Sequence, residues 1–315
     1  MIGNFLIVAQ QVAILFVLMG FGAAMRRAGF FRENAIDGIV NVLLLVVTPC
    51  LIVDVFQRPF DPSMLRGLGC AFVLVVLIHV VLIVLSRFVV RPRDENVRRP
   101  LVLAAVFSNA GFMGVPLEQA ILGDVGVFYG VVYIVVFNLF MWSWGYGVMQ
   151  NSPALGTKHQ ALSTKMWINP GTVGLALGAP LFFLSVKLPD VIGVPVHHMA
   201  NLNTPLAMIV IGYALAGAEF GKILRTGTLY VATVLRLIAS PLLAITALYP
   251  FRGALDRNMM LAMVIAASAP VAAMVSMFAA KFRRDVDVSV AVVSGTTLLS
   301  ILTMPVVVAL AMELL

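Results

Sequence analysis

The sequence has 315 residues, of which 61% are apolar and only 11% are charged. An ordinary soluble domain carries roughly 25% charged residues, so this composition, with a mean hydropathy of +1.04, excludes a soluble domain and predicts a membrane protein. The formal net charge of +7 follows from the loops described below and does not call for a nucleic-acid partner. Cys50 and Cys70 lie in or at the rim of apolar stretches, which predicts packing roles and no disulfide framework.

Ten apolar stretches are long enough to cross the roughly 30 Å of bilayer hydrocarbon, a distance that takes about 20 helical residues. They run over residues 5–25, 36–56, 67–90, 100–121, 126–149, 170–187, 198–218, 228–250, 258–280 and 288–313. No basic segment precedes the first stretch, which is too long for a signal-peptide core, so we expect it to be kept as a span. The connections are short and leave no room for a soluble catalytic domain.

Positive charge lies mostly on one side of these spans. The loops after the odd-numbered spans carry fifteen arginines and lysines, whereas the opposite loops carry five. The residues on the positive side are Arg26, Arg27, Arg32, Arg87, Arg91, Arg93, Arg98, Arg99, Lys158, Lys165, Lys222, Arg225, Lys281, Arg283 and Arg284. Because positive loops stay in the cytoplasm, we expect both termini outside and the central loop 150–169 inside.

The chain is predicted to consist of two inverted repeats of five spans. Five is an odd number, so a second set of five starts from the opposite side of the membrane. Thr48-Pro49 in the second span and Thr204-Pro205 in the seventh occupy corresponding positions, which supports the division. The predicted boundaries are 1–149 for the first repeat, 150–169 for a cytoplasmic linker and 170–315 for the second repeat.

Two spans are interrupted at matching places in the two halves. Span four contains Val-Phe-Ser-Asn-Ala-Gly-Phe-Met-Gly-Val-Pro over residues 106–116, and span nine contains Ile-Ala-Ala-Ser-Ala-Pro-Val-Ala-Ala-Met over 265–274. Glycine and proline interrupt the helical hydrogen bonds, and lipid offers no water to the freed backbone groups. A symmetric pair of broken helices indicates the substrate site of a secondary transporter.

At each break one half-helix ends in unpaired carbonyls and the next begins with unpaired amides, which carry about half a unit of charge. Converging amide-rich ends can hold an anion without a buried basic side chain. The predicted substrate-binding residues are Ser108, Asn109, Gly111, Met113, Gly114, Pro116, Ser268, Pro270 and Met274. Either break alone could equally serve helix packing. The occurrence of both in register favours a site.

Other polar residues within the spans give weaker signals. Asp54 is near the outer end of span two, which favours a solvated end over a proton relay, and His79 has no identifiable partner, which favours a hydrogen-bonded core residue. Arg236 lies about two turns into span eight, within reach of snorkelling to the interface, with a counter-charge role as the alternative. Candidates for the transport pathway or for a coupling ion are Asn41, Asp54, His79, Asn138 and Asn203.

Enzyme and metal signatures are missing from the sequence. It contains no His-Glu-x-x-His, no Gly-x-Ser-x-Gly and no Walker motif, and no aspartate-rich cluster falls within the spans. His197 and His198 form a pair with no third ligand nearby, which predicts a solvated surface feature. We therefore expect neither catalysis nor a cofactor.

The motifs resemble those of the auxin efflux carrier family, which includes plant auxin exporters and bacterial malate and malonate permeases. The segment 109–117 is similar to the fourth-span signature of the family, an asparagine followed by Met-Gly-Ile/Val-Pro. Ser268-Ala269-Pro270 is similar to the break in its ninth span, Asn169-Pro170 to the start of its sixth, and the segment 294–305 to its tenth. The chain lacks the long hydrophilic central loop of the plant carriers and is closer to the bacterial permeases.

The resemblance implies an architecture like that of sodium/proton antiporters and bile-acid symporters. Spans 1, 2, 6 and 7 would form a scaffold and spans 3–5 and 8–10 a moving transport domain, with a homodimer built through the scaffold in the plasma or bacterial inner membrane. Asn109 would correspond to the asparagine that contacts a substrate carboxylate, and Pro116 and Pro270 to the prolines at the breaks.

The function predicted from the sequence is alternating-access transport of a small organic anion, such as malate or malonate. Export could run on the membrane potential alone, whereas import would need Na⁺ or H⁺ coupling. A passive anion channel and a ligand-binding membrane receptor are the alternatives. Few acidic groups are expected within the spans, so no carboxylate relay is predicted.

Overall fold

The computed structural model describes residues 2–30, 33–150, 170–218 and 227–315, and in these ranges the regular elements are all helices. Seven of them are long and apolar enough to span a membrane, and Pro170–Phe183 and Arg257–Ser268 are shorter apolar helices. The chain is therefore an all-α membrane protein, as its composition predicts. Residues 151–169 of the predicted linker lie outside the described residues.

We number the described helices in chain order. The first six are α1 (Ile2–Arg27), α2 (Glu33–Val42, Leu43–Val47 and Thr48–Phe56), α3 (Pro62–Val89), α4 (Glu95–Val106), α5 (110–122) and α6 (124–150). The next six are α7 (Pro170–Phe183), α8 (Asp190–Asn201 and Asn203–Ala216), α9 (Gly227–Val234, Leu235–Ala239, Ser240–Leu248 and Tyr249–Phe251), α10 (Arg257–Ser268), α11 (Met274–Lys281) and α12 (Val286–Leu314). Predicted span four is thus α4 with α5, and predicted span nine is α10 with α11.

A single glycine separates α5 from α6. Gly123 has φ 64° and ψ −157°, a backbone conformation that glycine adopts without the steric cost of a Cβ atom. The chain therefore reverses within one residue. α5 lies as a short arm beside α6, where the sequence had predicted a loop of several residues.

Three helices widen into a π-helical turn just before a proline. Leu43–Val47 precedes Pro49, Ala110–Gly114 precedes Pro116, and Leu235–Ala239 precedes Pro241. Proline lacks an N–H and its ring collides with the carbonyl four residues earlier, and a wider turn relieves both problems. In α2 the Thr48 hydroxyl donates to Leu43 O at 2.9 Å, and the Thr48 backbone N–H of the widened turn donates to the same carbonyl.

Two pairs of helices contact each other through glycine. A Cβ atom on Gly22 of α1 would overlap the Ile209 backbone of α8, and one on Gly212 would overlap the backbone of α1. Likewise Gly174 of α7 lies against α2, where a Cβ would be 3.0 Å from Ile52. Small residues let membrane helices approach closely, so these pairs, α1 with α8 and α2 with α7, are packed backbone to backbone.

The remaining helices enclose α4 and α10. Every residue from Pro100 to Val106 and from Met259 to Ser268 is buried, because α3, α9 and α12 contact both helices. An apolar helix segment can pack inside a protein or face lipid, and here neighbouring helices cover these segments. The two broken spans thus occupy the centre of the bundle.

The contact between α1 and α8 can be tested with a pair of glycine substitutions. Gly22→Ala should lower the free energy of unfolding by about 1–3 kcal/mol, since the new methyl group has no room. Gly20→Ala, on the same helix with no atom within 4 Å of its Cβ, should not destabilise the protein. Thermal unfolding of both purified variants in detergent measures the difference, and equal stability would contradict this packing.

Candidate functional site

The irregular segment between α4 and α5 meets the one between α10 and α11. Residues 107–109 pair with residues 270–272 in antiparallel fashion, and Ser108 and Val271 form an isolated bridge. The backbone hydrogen bonds are Asn109 N to Pro270 O at 2.7 Å and Ala272 N to Phe107 O at 3.0 Å. Each break therefore satisfies backbone groups of the other at a depth where water is absent.

A third hydrogen bond comes from α12. Thr296 is fully buried, and its hydroxyl accepts from Val271 N at 3.1 Å while it lies 2.7 Å from Val292 O. Thr296 belongs to the segment that resembled the tenth span of the family. Its hydroxyl thus serves both the break and its own helix.

A cavity of about 110 Å³ lies beside the paired segments. In comparable terms a water needs roughly 10–15 Å³, so the cavity has room for a small ligand. Its polar lining consists of Thr48, Ser108, Asn109, Asn138 and Asn203, and its apolar lining includes Phe112, Ile134, Phe137, Met274 and Met277. The first turns of α5 and α11 both contribute to its wall, so that two helix N-termini meet the same space.

Four of the nine predicted substrate-binding residues line this cavity. They are Ser108, Asn109, Gly111 and Met274, and two predicted pathway residues, Asn138 and Asn203, lie there as well. Ser108 Oγ and Asn203 Nδ2 are buried and find no hydrogen-bond partner in the described part of the chain. Buried polar groups are normally paired, so these two atoms are available to a ligand.

The other five predicted residues do not line the cavity but support it. Pro270 supplies the carbonyl that Asn109 N binds, and the Ser268 hydroxyl donates to Ile265 O of its own helix at 2.8 Å. Gly114 brings α5 close to α10, since a Cβ there would be 3.4 Å from Ala266 Cα. Met113 and Pro116 are buried in α5 behind the break.

Arg236 is fully buried, so the predicted snorkelling to the interface is wrong. Its guanidinium donates to Val106 O at 2.7 Å, at the end of α4, and to Ala267 O, at the end of α10. A further N–H donates to the Ser240 hydroxyl one turn along α9. One cation therefore binds the carbonyl ends of both broken spans, where the helix dipoles are negative.

The spacing of Arg236 and Ser240 in the sequence was a signal for the buried, carbonyl-binding role of Arg236, and it was not recognised. Arg236 and Ser240 are four residues apart and so share one face of α9. No carboxylate pairs with Arg236 among the described residues. Its positive charge is thus offset by backbone carbonyls and the Ser240 hydroxyl, directly behind the segments that line the cavity.

The other predicted polar residues lie apart from the cavity. His79 is fully buried, with Nδ1 2.8 Å from Val75 O and its ring stacked on Phe140. Asp54 Oδ2 lies 2.9 Å from His197 Nδ1, and the His197 side chain is 55% exposed, as predicted for a surface residue. Asn41 is exposed on α2.

One buried acid was not recognised in the sequence. Glu118, in the second turn of α5, is 1% exposed. It belongs to predicted span four, and α5 folds back against α6 and covers it. A carboxylate therefore does lie inside the bundle.

Comparison with known proteins gives a consistent assignment. A family model described as "Membrane transport protein" matches residues 7–308. An uncharacterized transporter of Methanothermobacter thermautotrophicus is 26% identical over 304 residues, which cover 94% of this chain and 96% of the relative. A second uncharacterized transporter, from Methanocaldococcus jannaschii, is 22% identical and covers 92% of this chain and 94% of the relative. Because the family model spans nearly the whole sequence, the chain belongs to the membrane transport protein family, that of the auxin efflux carriers.

Proposed function

We propose that this transporter carries a small organic anion, a mono- or dicarboxylate, by alternating access, and that the anion binds where the two broken spans cross. The observation that carries the proposal is the cavity beside the paired breaks, which combines two helix N-termini with unpaired polar side chains. Amide-rich helix ends favour negative charge. Membership of a transporter family supports transport over binding alone.

The ligand class follows from the lining. Asn109, Ser108 and Asn203 offer hydrogen bonds, whereas Phe112, Ile134 and Met274 form apolar walls. A carboxylate on a short carbon chain meets both requirements. Arg236 cancels the negative carbonyl ends of α4 and α10, which would otherwise repel an anion, and adds one positive charge close to the site.

The walls of the cavity come from two groups of helices. Thr48, Asn203 and Pro170 belong to α2, α8 and α7, and the facing residues belong to α5, α6 and α11. A movement of the second group against the first would change access to the anion. This division agrees with a scaffold of spans 1, 2, 6 and 7, through which we also propose homodimerisation.

One end of the cavity lies toward the positively charged side of the bundle. Val40, Gly171 and Met277 form the end of the cavity that is nearest to the arginine- and lysine-rich side of the bundle. With positive loops inside the cell, that side is cytoplasmic and both termini are outside.

The membrane potential sets the energetics of transport. An inside-negative potential favours anion export by about 2.3 kcal/mol per charge per 100 mV. Export therefore needs no further energy source, whereas import against this potential needs a coupled cation.

A passive channel and a ligand-binding receptor are the competing functions. Counterflow in proteoliposomes separates them from a carrier, because labelled malonate or malate enters faster against unlabelled substrate only if the protein alternates. Flux without saturation or exchange would indicate a channel, and binding without flux would indicate a receptor.

The role of Asn109 can be tested by substitution. Asn109→Ala should weaken carboxylate binding about 10–150-fold, because a hydrogen bond to a charged group contributes about 1.5–3 kcal/mol. Ligand-induced thermal shifts, titrated with malate and malonate, measure the change. Asn258→Ala, a half-buried asparagine at the start of α10 outside the cavity, is the control and should bind normally. Full binding by the Asn109→Ala variant would contradict this site.

The electrostatic role of Arg236 calls for a charge-keeping and a charge-removing variant. Arg236→Lys should lose stability, since lysine cannot bind both carbonyls with a planar fork, yet it should still bind the anion. Arg236→Gln should bind the anion about tenfold more weakly, because the positive charge is gone. The anion affinities of the two folded variants are compared by titration with malonate or malate at low and at high salt. Equal anion affinity in the two variants would show that the charge plays no part.

A further inference from the structure

The carboxyl group of Glu118 is buried without a partner. Glu118 is 1% exposed, and neither of its carboxyl oxygens has a hydrogen-bond partner among the described residues. Placing an ionised carboxylate in such surroundings costs several kcal/mol or more, far more than placing the neutral acid there. In the conformation seen here Glu118 therefore holds a proton.

The neighbouring helix is shaped to receive this carboxyl group. A Cβ atom on Gly130 of α6 would overlap the Glu118 carboxyl, and one on Gly126 would lie 3.1 Å from Glu118 O. The two glycines are four residues apart and so face α5 on one side of α6. A side chain at position 130 would exclude the carboxyl group of Glu118. Glycine at this position therefore leaves the space that the carboxyl group fills.

No charged group compensates Glu118. The titratable residues on or next to the helices packed against α5 and α6 are Arg26, Arg27, Cys50, Asp54, Arg58, Asp61, Arg66, Cys70, His79, Arg87, Asp124, Tyr129, Tyr133, Tyr146, Tyr213, Asp256 and Arg257. None of them forms a hydrogen bond with either carboxyl oxygen of Glu118. A structural ion pair is therefore excluded as its role within the described residues.

A second, smaller cavity lies beside α5. It measures about 40 Å³ and is lined by Gln119, the residue after Glu118, together with Val115 and Asp124. Asp54 and Thr204 of α2 and α8 form its opposite wall. Its lining residue Asp54 is near the opposite end of α2 from Val40, which lines the main cavity. Movement of α5 relative to α2 and α8 changes this space, one residue from the buried acid.

Sodium finds few free ligands at the breaks. Val106 O and Ala267 O accept hydrogen bonds from Arg236, and Phe107 O and Pro270 O accept them from backbone amides. The described residues also contain no group of three acidic, histidine or cysteine side chains able to hold a metal ion. Four of the carbonyls at the breaks thus already accept a hydrogen bond.

We propose that Glu118 is the proton-binding site of the transport cycle and that the protein is a proton-coupled carboxylate symporter. The proposal rests on the proposed function. A proton from the outer water binds a carboxylate oxygen of Glu118, crosses with the anion and is released to the cytoplasm. One proton offsets the charge of a monoanion, so uptake is then driven by an acidic exterior. The anion binds at the first turn of α5 and the proton binds at its second turn. Because both ligands bind to the same helix, their transport is coupled.

The test compares exchange with accumulation in proteoliposomes. Glu118→Gln mimics the protonated acid, so malonate or malate counterflow should stay within about threefold of wild type. Accumulation driven by an inward pH gradient should fall at least tenfold, because the amide cannot release a proton. Asp37→Asn, an exposed acid on α2, is the control and should keep both activities.

Accumulation by the Glu118→Gln variant at the wild-type level would overturn the proposal. Substrate-dependent proton influx in the wild type, followed with an internal pH dye, gives a second measurement that does not depend on the variant. Its absence in vesicles that do exchange malonate or malate would refute proton coupling and leave the proposed function intact. Failure of the wild type to exchange or bind either carboxylate would instead refute the proposed function.

Discussion

Backbone groups that leave a helix inside a bilayer must find partners within the protein, and the centre of this bundle is organised by that constraint. The breaks at 107–109 and 270–272 meet it by pairing with each other. Arg236 binds the carbonyl ends of α4 and α10, and Thr296 binds the amide of Val271. Once these groups are satisfied, the first turns of α5 and α11 still offer amides to the cavity.

The distribution of charge around the breaks distinguishes their two sides. The carbonyl side is occupied by a buried guanidinium, and the amide side faces a space with two unpaired polar atoms, Ser108 Oγ and Asn203 Nδ2. An anion fits the second side, and a cation is already present on the first. Glu118 adds a titratable group on α5, the helix whose first turn lines the cavity, and it is enclosed by Gly126 and Gly130 of α6. A carrier of an anion and a proton would need both features.

Some of these features could be predicted from the local sequence, and others could not. Proline and glycine at Pro116, Gly111 and Pro270 act on their own helices, so the positions of the breaks could be predicted from residue type alone. Ser108, Asn109 and Met274 line the cavity because they are adjacent to those breaks.

Arg236 and Glu118 could not be assigned in this way because their surroundings come from distant parts of the chain. The ends of α4 and α10, more than a hundred and about thirty residues from Arg236, create its site. Glu118 is buried only because Gly123 reverses the chain within one residue, whereas a longer loop would have left it in solvent. Helix position within a span is a poor guide to burial wherever a span is broken.

The most direct measurement is an experimental structure of the protein with malonate or malate bound. The account predicts the carboxylate in the cavity of about 110 Å³, within hydrogen-bonding distance of Asn109 and of amides in the first turn of α5. A carboxylate bound elsewhere, or a pair of unbroken helices in place of α4–α5 and α10–α11, would contradict it.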